Sequence, residues 1–213
     1  MVSFLVLLAT AFVFGLVRLF IFGPTHKYLD SIKADSVLKR GDIILTGKQS
    51  VAYSCYIQLS NVLTRKLKHR FWTHAAIYQG NGKVWEAQPA GVIERNLDDY
   101  LKSGFLVCAF RHKYIEGSNA LDQVIEFCAD KKGYCYGMAG AIFYALSTFV
   151  PVSFNWIFDN TWIDRWLDLD KAYFCSELIV DAFEAAGYPI SPYDGWRVKP
   201  TDFISNPLLM TVK

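Results

Sequence analysis

Two residues of this sequence have the types and surroundings of a nucleophile and its base. Cys175 begins the segment Cys175–Gly187, whose apolar residues recur at helical spacing, so the pattern predicts a helix with Cys175 in its first turn. The unpaired N–H groups and the dipole at a helix start favour a thiolate over a thiol. A nucleophilic cysteine also needs a base, and His74, within a predicted strand, is the best placed of the four histidines. The pair therefore predicts cysteine-based acyl chemistry.

A third group should orient the imidazole of His74. Two predicted strands flank the Gly-Asn-Gly sequence at 80–82, which has the turn chemistry of a β-hairpin. A hairpin loop with an odd number of residues puts His74 on the same face as Glu86 and Gln88, whereas a two-residue turn selects Ala87 instead. We predict the odd-numbered loop, with Glu86 as the orienting group and Gln88 as the alternative.

A purely structural interpretation of each candidate stays open. A cysteine on a buried helix face is more often a small apolar core residue than a nucleophile, and a single histidine in a strand is more often a core residue with satisfied hydrogen bonds. That interpretation suits Cys55, Cys108 and Cys128, and the sequence leaves Cys135 ambiguous.

Composition excludes several classes of protein. The 213 residues are 53% hydrophobic and 16% aromatic, which excludes a disordered chain, and the net charge of +2 gives no general attraction to nucleic acid. Five cysteines without a CxxC pair predict neither a disulfide framework nor a zinc knuckle. The sequence has no HExxH motif and no phosphate-binding glycine loop, so we expect no metal and no cofactor.

The N-terminus has the pattern of a membrane anchor. Residues 1–22 are apolar with Arg18 as the only charge, and as a helix they would be about 33 Å long, against a bilayer core of about 30 Å. No Lys or Arg precedes this run, unlike in a secretory signal peptide, and the positive charges that follow it favour a cytoplasmic body. An atypical signal peptide or a buried helix is the alternative. We divide the chain into an anchor at 1–23, a stalk at 24–40 and a catalytic domain at 41–213.

The body of the chain has the pattern of an α+β domain. Strands are expected at 43–46, 72–78, 83–87, 92–95 and 105–110, and helices at 119–132 and 175–187. Residues 51–67 have a mixed, helix-like pattern, and residues 134–166 are apolar and strongly aromatic. The tail from Tyr188 is expected to be an ordered loop around the body.

Several motifs, in this order, resemble the circularly permuted NlpC-type papain-fold hydrolases. They are Gly41-Asp42-Ile43-Ile44, Thr73-His74-Ala75-Ala76-Ile77-Tyr78 with Glu86-Ala87, Tyr173-Phe174-Cys175-Ser176-Glu177-Leu178-Ile179, and the closing Pro200-Thr201-Asp202-Phe203. The YiiX-like branch is most similar, and the lecithin:retinol acyltransferase-like proteins are a neighbouring branch. The resemblance spans about residues 36–208.

This resemblance implies a permuted papain-like fold, with a small antiparallel sheet packed on the helix that bears the nucleophile. It also implies that Cys175 is the nucleophile, His74 the base and Glu86 the third member of a triad. Backbone N–H groups at the start of the helix would form part of an oxyanion hole. The sequence departs from the family in its N-terminal anchor and in the aromatic stretch at 134–166.

Together these features predict a membrane-anchored cysteine hydrolase that cleaves an amide or ester bond through an acyl-thioester. Its partners would be membrane lipid, through the N-terminal helix, and a lipidic or peptide substrate; no nucleic acid is expected. An acyltransferase that uses the same acyl-enzyme is one alternative. The other is a non-catalytic, membrane-tethered binding module, in which the Cys175 sulfur would lie more than about 6 Å from both ring nitrogens of His74.

Overall fold

A computed structural model of the protein describes residues 37–47, 72–102, 104–115, 119–137 and 172–212. The strands are β1 (Ile43–Gly47), β2 (His74–Gly80), β3 (Lys83–Gln88), β4 (Gly91–Asn96), β5 (Leu106–His112), β6 (Cys135–Tyr136), β7 (Ala172–Tyr173) and β8 (Leu209–Val212). Six of them form an antiparallel sheet in the order β4-β3-β2-β1-β5-β8, and β6 and β7 form a separate parallel pair.

Helices cover both faces of the six-stranded sheet. The helices are α1 (Asp98–Lys102), α2 (Ala120–Asp130) and α3 (Cys175–Ala185), followed by the 3-10 segments Gly195–Arg197 and Pro200–Ser205. Side chains of α2 and α3 share one core cluster with Ile43 and Ile77, whereas Tyr100 of α1 packs with Ile44 and Ala76 in a second cluster. Because successive side chains of a strand point to opposite faces, these two clusters lie on opposite sides of the sheet.

The predicted α+β class is confirmed, and the predicted strands and helices of the described residues are present. Six elements were not predicted: α1, β6, β7, β8 and the two 3-10 segments. The short helix α1 has too few residues to show a helical period, and the tail, expected to be a loop, ends in β8. That strand pairs with β5 and forms one edge of the sheet.

Several predictions fall on residues outside the described ranges. These are the anchor at 1–23, nearly all of the stalk at 24–40, the segment 51–67, Cys55 and most of the aromatic stretch at 134–166. The described helices include none with the length and hydropathy needed to cross a membrane. The anchor and the domain boundaries therefore stay predictions.

Candidate active site

The N-terminus of α3 presents Cys175 as its first helical residue. The preceding residue, Phe174, has an extended backbone, and its N–H donates to Glu177 Oε2 at 2.8 Å, which fixes the start of the helix. One residue further on, the Ser176 hydroxyl donates to the Val198 carbonyl and attaches the tail to the same turn. The first-turn amides of a helix have no partner within the helix, and the Cys175 sulfur lies at this end of α3.

The β2–β3 hairpin differs from the predicted one in its turn. Gly80 pairs with Lys83, so the turn has two residues, and their φ values of +54° at Asn81 and +70° at Gly82 are those of a type I′ turn. The prediction of an odd-numbered loop is therefore wrong. Asn-Gly is the preferred sequence for a two-residue turn, and this local preference determines the loop length.

A β-bulge next to this turn restores the predicted facing of Glu86. Tyr78 pairs with Val84 and Gly80 with Lys83, so Gln79 is an extra residue without a cross-strand partner. Beyond the bulge the register places Glu86 opposite Ala76, which shares a face with His74. Without the bulge, Ala87 would occupy that face instead.

The three predicted site residues come together at the end of the sheet where β2 begins. His74 Nε2 lies 2.8 Å from Glu86 Oε2, and the Cys175 thiol forms a hydrogen bond with the same imidazole. Since Nε2 faces the carboxylate, Nδ1 is the ring nitrogen left for the sulfur. The site is nearly closed to solvent: Glu86 is fully buried, Cys175 is 1% exposed and the His74 side chain is 13% exposed.

The environment of His74 favours its protonated form. Burial alone lowers the pKa of the imidazole, but hydrogen bonds to Cys175 and Glu86 and the charges of both groups raise it, with a net rise to about 10. These contacts favour the imidazolium form of the ring, which lies between a sulfur and a carboxylate. A cationic partner of this kind favours the thiolate form of a cysteine.

The carboxylate of Glu86 has two further partners. Its Oε2 accepts a hydrogen bond from the Tyr100 hydroxyl, and its Oε1 lies 3.0 Å from Arg95 Nε. Burial by itself raises the pKa of Glu86. The hydrogen bonds from His74 and Tyr100 and the charges of His74 and Arg95 lower this pKa by a larger amount, so the net shift is downward. Gln88, the alternative orienting group, instead accepts a hydrogen bond from Arg95 Nη2 at 3.0 Å.

Sequence reasoning missed Arg95 and Tyr100. Arg95 pairs with Val84, which shares a face with Glu86, so the alternation along β4 carried a usable signal. Tyr100 carried none, because it lies on the unpredicted helix α1.

The remaining described cysteines divide by exposure. Cys108 and Cys128 are buried, and burial raises the pKa of both thiols, in agreement with their interpretation as core residues. Cys135 on β6 is exposed. Cys175 is as buried as these two core cysteines and differs from them in its interaction with His74.

An apolar wall, formed by Phe174 and Tyr136, contacts Cys175. The two rings have centroids 6.0 Å apart, and the three residues form a cluster of their own. Next to this wall, the Gly137 N–H donates to the Tyr173 carbonyl, and a Cβ at Gly137 would lie 3.2 Å from the Phe174 nitrogen. The β6–β7 pair therefore packs closely against the segment that precedes the nucleophile.

The fold and site together define a mixed α+β protein with a cysteine–histidine–carboxylate cluster at one end of an antiparallel sheet. Among solved structures, the chain is similar to the crystal structure of the metalloprotein YiiX from Escherichia coli O157:H7, with a TM-score of 0.50 and 18% sequence identity. The similarity covers 82% of this chain and 96% of YiiX. Neither a protein-family model nor a curated protein matches the chain. The YiiX-like part of the resemblance is thus confirmed at the level of the fold.

Proposed function

We propose that this protein is a cysteine hydrolase that cleaves an amide or ester bond, with Cys175 as nucleophile, His74 as base and Glu86 as the group that orients His74. One observation carries the proposal: Cys175, at the start of α3, interacts with the imidazole of His74, whose Nε2 is bonded to the buried carboxylate of Glu86. In the binding-module alternative the sulfur and the imidazole lie apart, and their contact favours the enzyme. The NlpC-type relationship inferred from the motifs belongs to the same proposal.

The chemistry follows from this arrangement. The Cys175 thiolate attacks the carbonyl carbon, and the first-turn amide of α3 stabilises the oxyanion that forms. The His74 imidazolium gives its proton to the leaving nitrogen or oxygen as the C–N or C–O bond breaks, which leaves an acyl-thioester and a neutral imidazole. His74 then takes a proton from water, and the hydroxide attacks the thioester. The C–S bond breaks, which releases the carboxylic acid and leaves the thiolate–imidazolium pair.

A lipidic acyl group is the substrate class that we favour. Phe174 is buried beside Cys175 and the partly buried Tyr136 packs against this pair, so the surroundings of the sulfur are apolar and suit a hydrocarbon chain. The apolar segment at 1–22 would bring the site close to membrane lipid, with the domain on the cytoplasmic side. Retention of the full chain in membranes after alkaline carbonate extraction, and its release when residues 1–23 are removed, would test the anchor.

YiiX is described as a metalloprotein. The described residues contain no group of three or more His, Cys, Asp or Glu side chains arranged to hold a metal ion. In the candidate site itself, Glu86 faces the cationic Arg95, and His74 Nε2 is turned to that carboxylate. These donors do not converge on one point, so no step of the mechanism passes through a metal.

The first test is the rate at which iodoacetamide alkylates Cys175, measured against pH by peptide mass spectrometry. Cys135, exposed in the same chain, is the internal control. We expect Cys175 to react at a lower pH than Cys135, and this advantage to disappear in His74→Ala. Equal profiles for the wild type and His74→Ala would contradict the proposal.

The second test is turnover of ester and amide substrates of increasing acyl length. We expect hydrolysis that Cys175→Ser abolishes and the matched Cys135→Ser leaves unchanged, with rates that rise with acyl length. Added hydroxylamine distinguishes hydrolysis from acyl transfer: a hydrolase partitions its acyl-enzyme mainly to water, and an acyltransferase mainly to the added nucleophile. Turnover that survives in Cys175→Ser would refute the assignment of the nucleophile.

A further inference from the structure

The group that orients His74 is itself held by two residues outside the triad. Glu86 is fully buried, and its Oε2 accepts hydrogen bonds from both His74 Nε2 and the Tyr100 hydroxyl. Its Oε1 lies 3.0 Å from Arg95 Nε. The carboxylate is therefore contacted from three elements, β2, β4 and α1.

A buried carboxylate at this position needs such partners to stay ionised. Burial by itself favours the neutral acid, and a protonated Glu86 would lose most of its attraction for the imidazolium of His74. Arg95 supplies a second positive charge next to Glu86, and Tyr100 supplies a donor that can bind an anion. The imidazolium of His74 and the guanidinium of Arg95 thus both face Glu86, which lies between the two cations.

The contacts of Arg95 and Tyr100 extend beyond simple packing. Arg95 is 31% exposed, yet its guanidinium reaches inward to Glu86, donates through Nη2 to Gln88 and lies 5.5 Å from the centre of the Tyr100 ring. The same Tyr100 ring packs edge-to-face on Phe105 at 5.2 Å. The ring of Tyr100 can therefore keep its place without the hydroxyl, and the hydroxyl can be tested separately.

We propose that Arg95 and Tyr100 are positioning residues of the active site, which hold Glu86 as a carboxylate turned to Nε2 of His74. Their polar contacts described above are with Glu86 and Gln88, and the ring of Tyr100 also lies 6.2 Å from that of His74. This inference rests on the proposed function, since it assigns their purpose to the Cys175–His74 pair.

Two substitutions separate this role from a structural one. Tyr100→Phe removes the donor and keeps the ring, and Arg95→Met removes the charge and keeps a similar length of side chain. Tyr78→Phe is the matched tyrosine control, because Tyr78 lies in the same core cluster but its hydroxyl accepts from the Gly82 N–H at the far end of the hairpin. Lys83→Met is the matched charge control, because Lys83 pairs with Glu94.

The main readout is the titration of the Glu86 side-chain carboxyl, followed by carbon-13 NMR of glutamate-labelled full-length protein and assigned with Glu86→Gln. We expect Tyr100→Phe and Arg95→Met each to raise the pKa of Glu86, and both controls to leave it unchanged. Arg95→Lys keeps the charge and should return the pKa of Glu86 toward that of the wild type. It also keeps the proposal testable if Arg95→Met does not fold.

The second readout is alkylation of Cys175 by iodoacetamide at neutral pH, with Cys135 as internal control. We expect a rate about tenfold lower in Tyr100→Phe and in Arg95→Met, which is the effect of about 1.4 kcal/mol. Unchanged titration of Glu86 in both variants, or changed titration with unchanged alkylation, would overturn the positioning role. If the proposed function is wrong, the result will be different: Cys175 will alkylate no faster than Cys135 in the wild type, and His74→Ala will leave the alkylation rate of Cys175 unchanged.

Discussion

Glu86→Gln is the substitution for which the structure makes the sharpest quantitative prediction. The glutamine amide has nearly the shape of the carboxylate but no charge, and it can offer only one acceptor oxygen where Glu86 has two. His74 and Tyr100 form hydrogen bonds with Oε2 of that carboxylate, and Arg95 Nε forms an ion pair with Oε1. After the substitution at least one of them must face an amide N–H₂ group, and both cations lose their counter-ion.

The magnitude follows from burial. Removing one member of a buried ion pair costs about 3–5 kcal/mol, because the remaining charge stays buried without compensation. Arg95 is 31% exposed and can regain water, so we take the lower end, about 3 kcal/mol. For a domain of this size each kcal/mol changes Tm by about 2–4 °C, which gives a decrease of about 6–12 °C.

The assay is urea denaturation monitored by tryptophan fluorescence, with Glu94→Gln as the matched control. Glu94 lies on β4 and pairs with Lys83 across the same ribbon, but its side chain is 29% exposed and that of Lys83 is 43% exposed. A surface pair of this kind contributes about 0–1 kcal/mol, so the two Glu→Gln substitutions should differ by at least about 2 kcal/mol. Equal losses of stability would refute the described network around Glu86.

The pH dependence of this difference gives an independent check. Because the pKa of Glu86 is lowered in the folded protein, its contribution to stability is complete above its ordinary value of 4.5 and is lost as the pH falls through the lowered pKa. The stability difference between the wild type and Glu86→Gln should therefore be largest near neutral pH and shrink in acid. A difference that stays constant from pH 7 down to the acid transition would contradict the ionised state of Glu86.

Three other expectations follow from the described residues. Nitrogen-15 NMR should show His74 protonated at neutral pH and titrating near pH 10, and the pKa of His74 should fall in Cys175→Ser. A ring that titrates near 6.5 in the wild type would contradict the contacts of His74 with Cys175 and Glu86. Iodoacetamide should leave Cys108 and Cys128 unmodified in the folded protein, because burial raises the pKa of both thiols, and modify them after unfolding. Gly195→Ala should lower the free energy of unfolding by about 1–3 kcal/mol in urea denaturation. The reason is that its Cβ would lie 2.5 Å from Asp181 Oδ1 and 3.0 Å from the Glu177 Cα. An unchanged midpoint of the urea transition would show that the 3-10 segment can move away.

The sequence predicted the contacts of the site better than the backbone that produces them. Helical spacing and Gly187 fixed the extent of the Cys175 helix, and the alternation of buried residues fixed the strands. The predicted pairing of His74 with Glu86 is present, but the predicted loop is not. A two-residue Asn-Gly turn and a bulge at Gln79 together put Glu86 on the face that an odd-numbered loop would have given it. Bulges have no strong sequence signature, so register was the least predictable quantity.

Residues that act through long-range contacts were beyond sequence reasoning. Tyr100 reaches Glu86 from a five-residue helix, too short for a periodic pattern to identify. Strand β8 pairs with β5 from the far end of the chain, and only the closed core determines that pairing. In both cases the tertiary contact, not the local preference, decides the structure.

The parallel pairing of β6 with β7 has a consequence for how this chain could be varied. The pair joins residues on either side of the segment 138–171 and places its ends beside Phe174. On chain length alone, halving a closed segment changes its loop-closure free energy by only about 0.6 kcal/mol. Any segment inserted between β6 and β7 thus begins and ends beside the residues that precede Cys175. The β6–β7 pair thus fixes the distance between the two ends of the intervening chain independently of that chain's length.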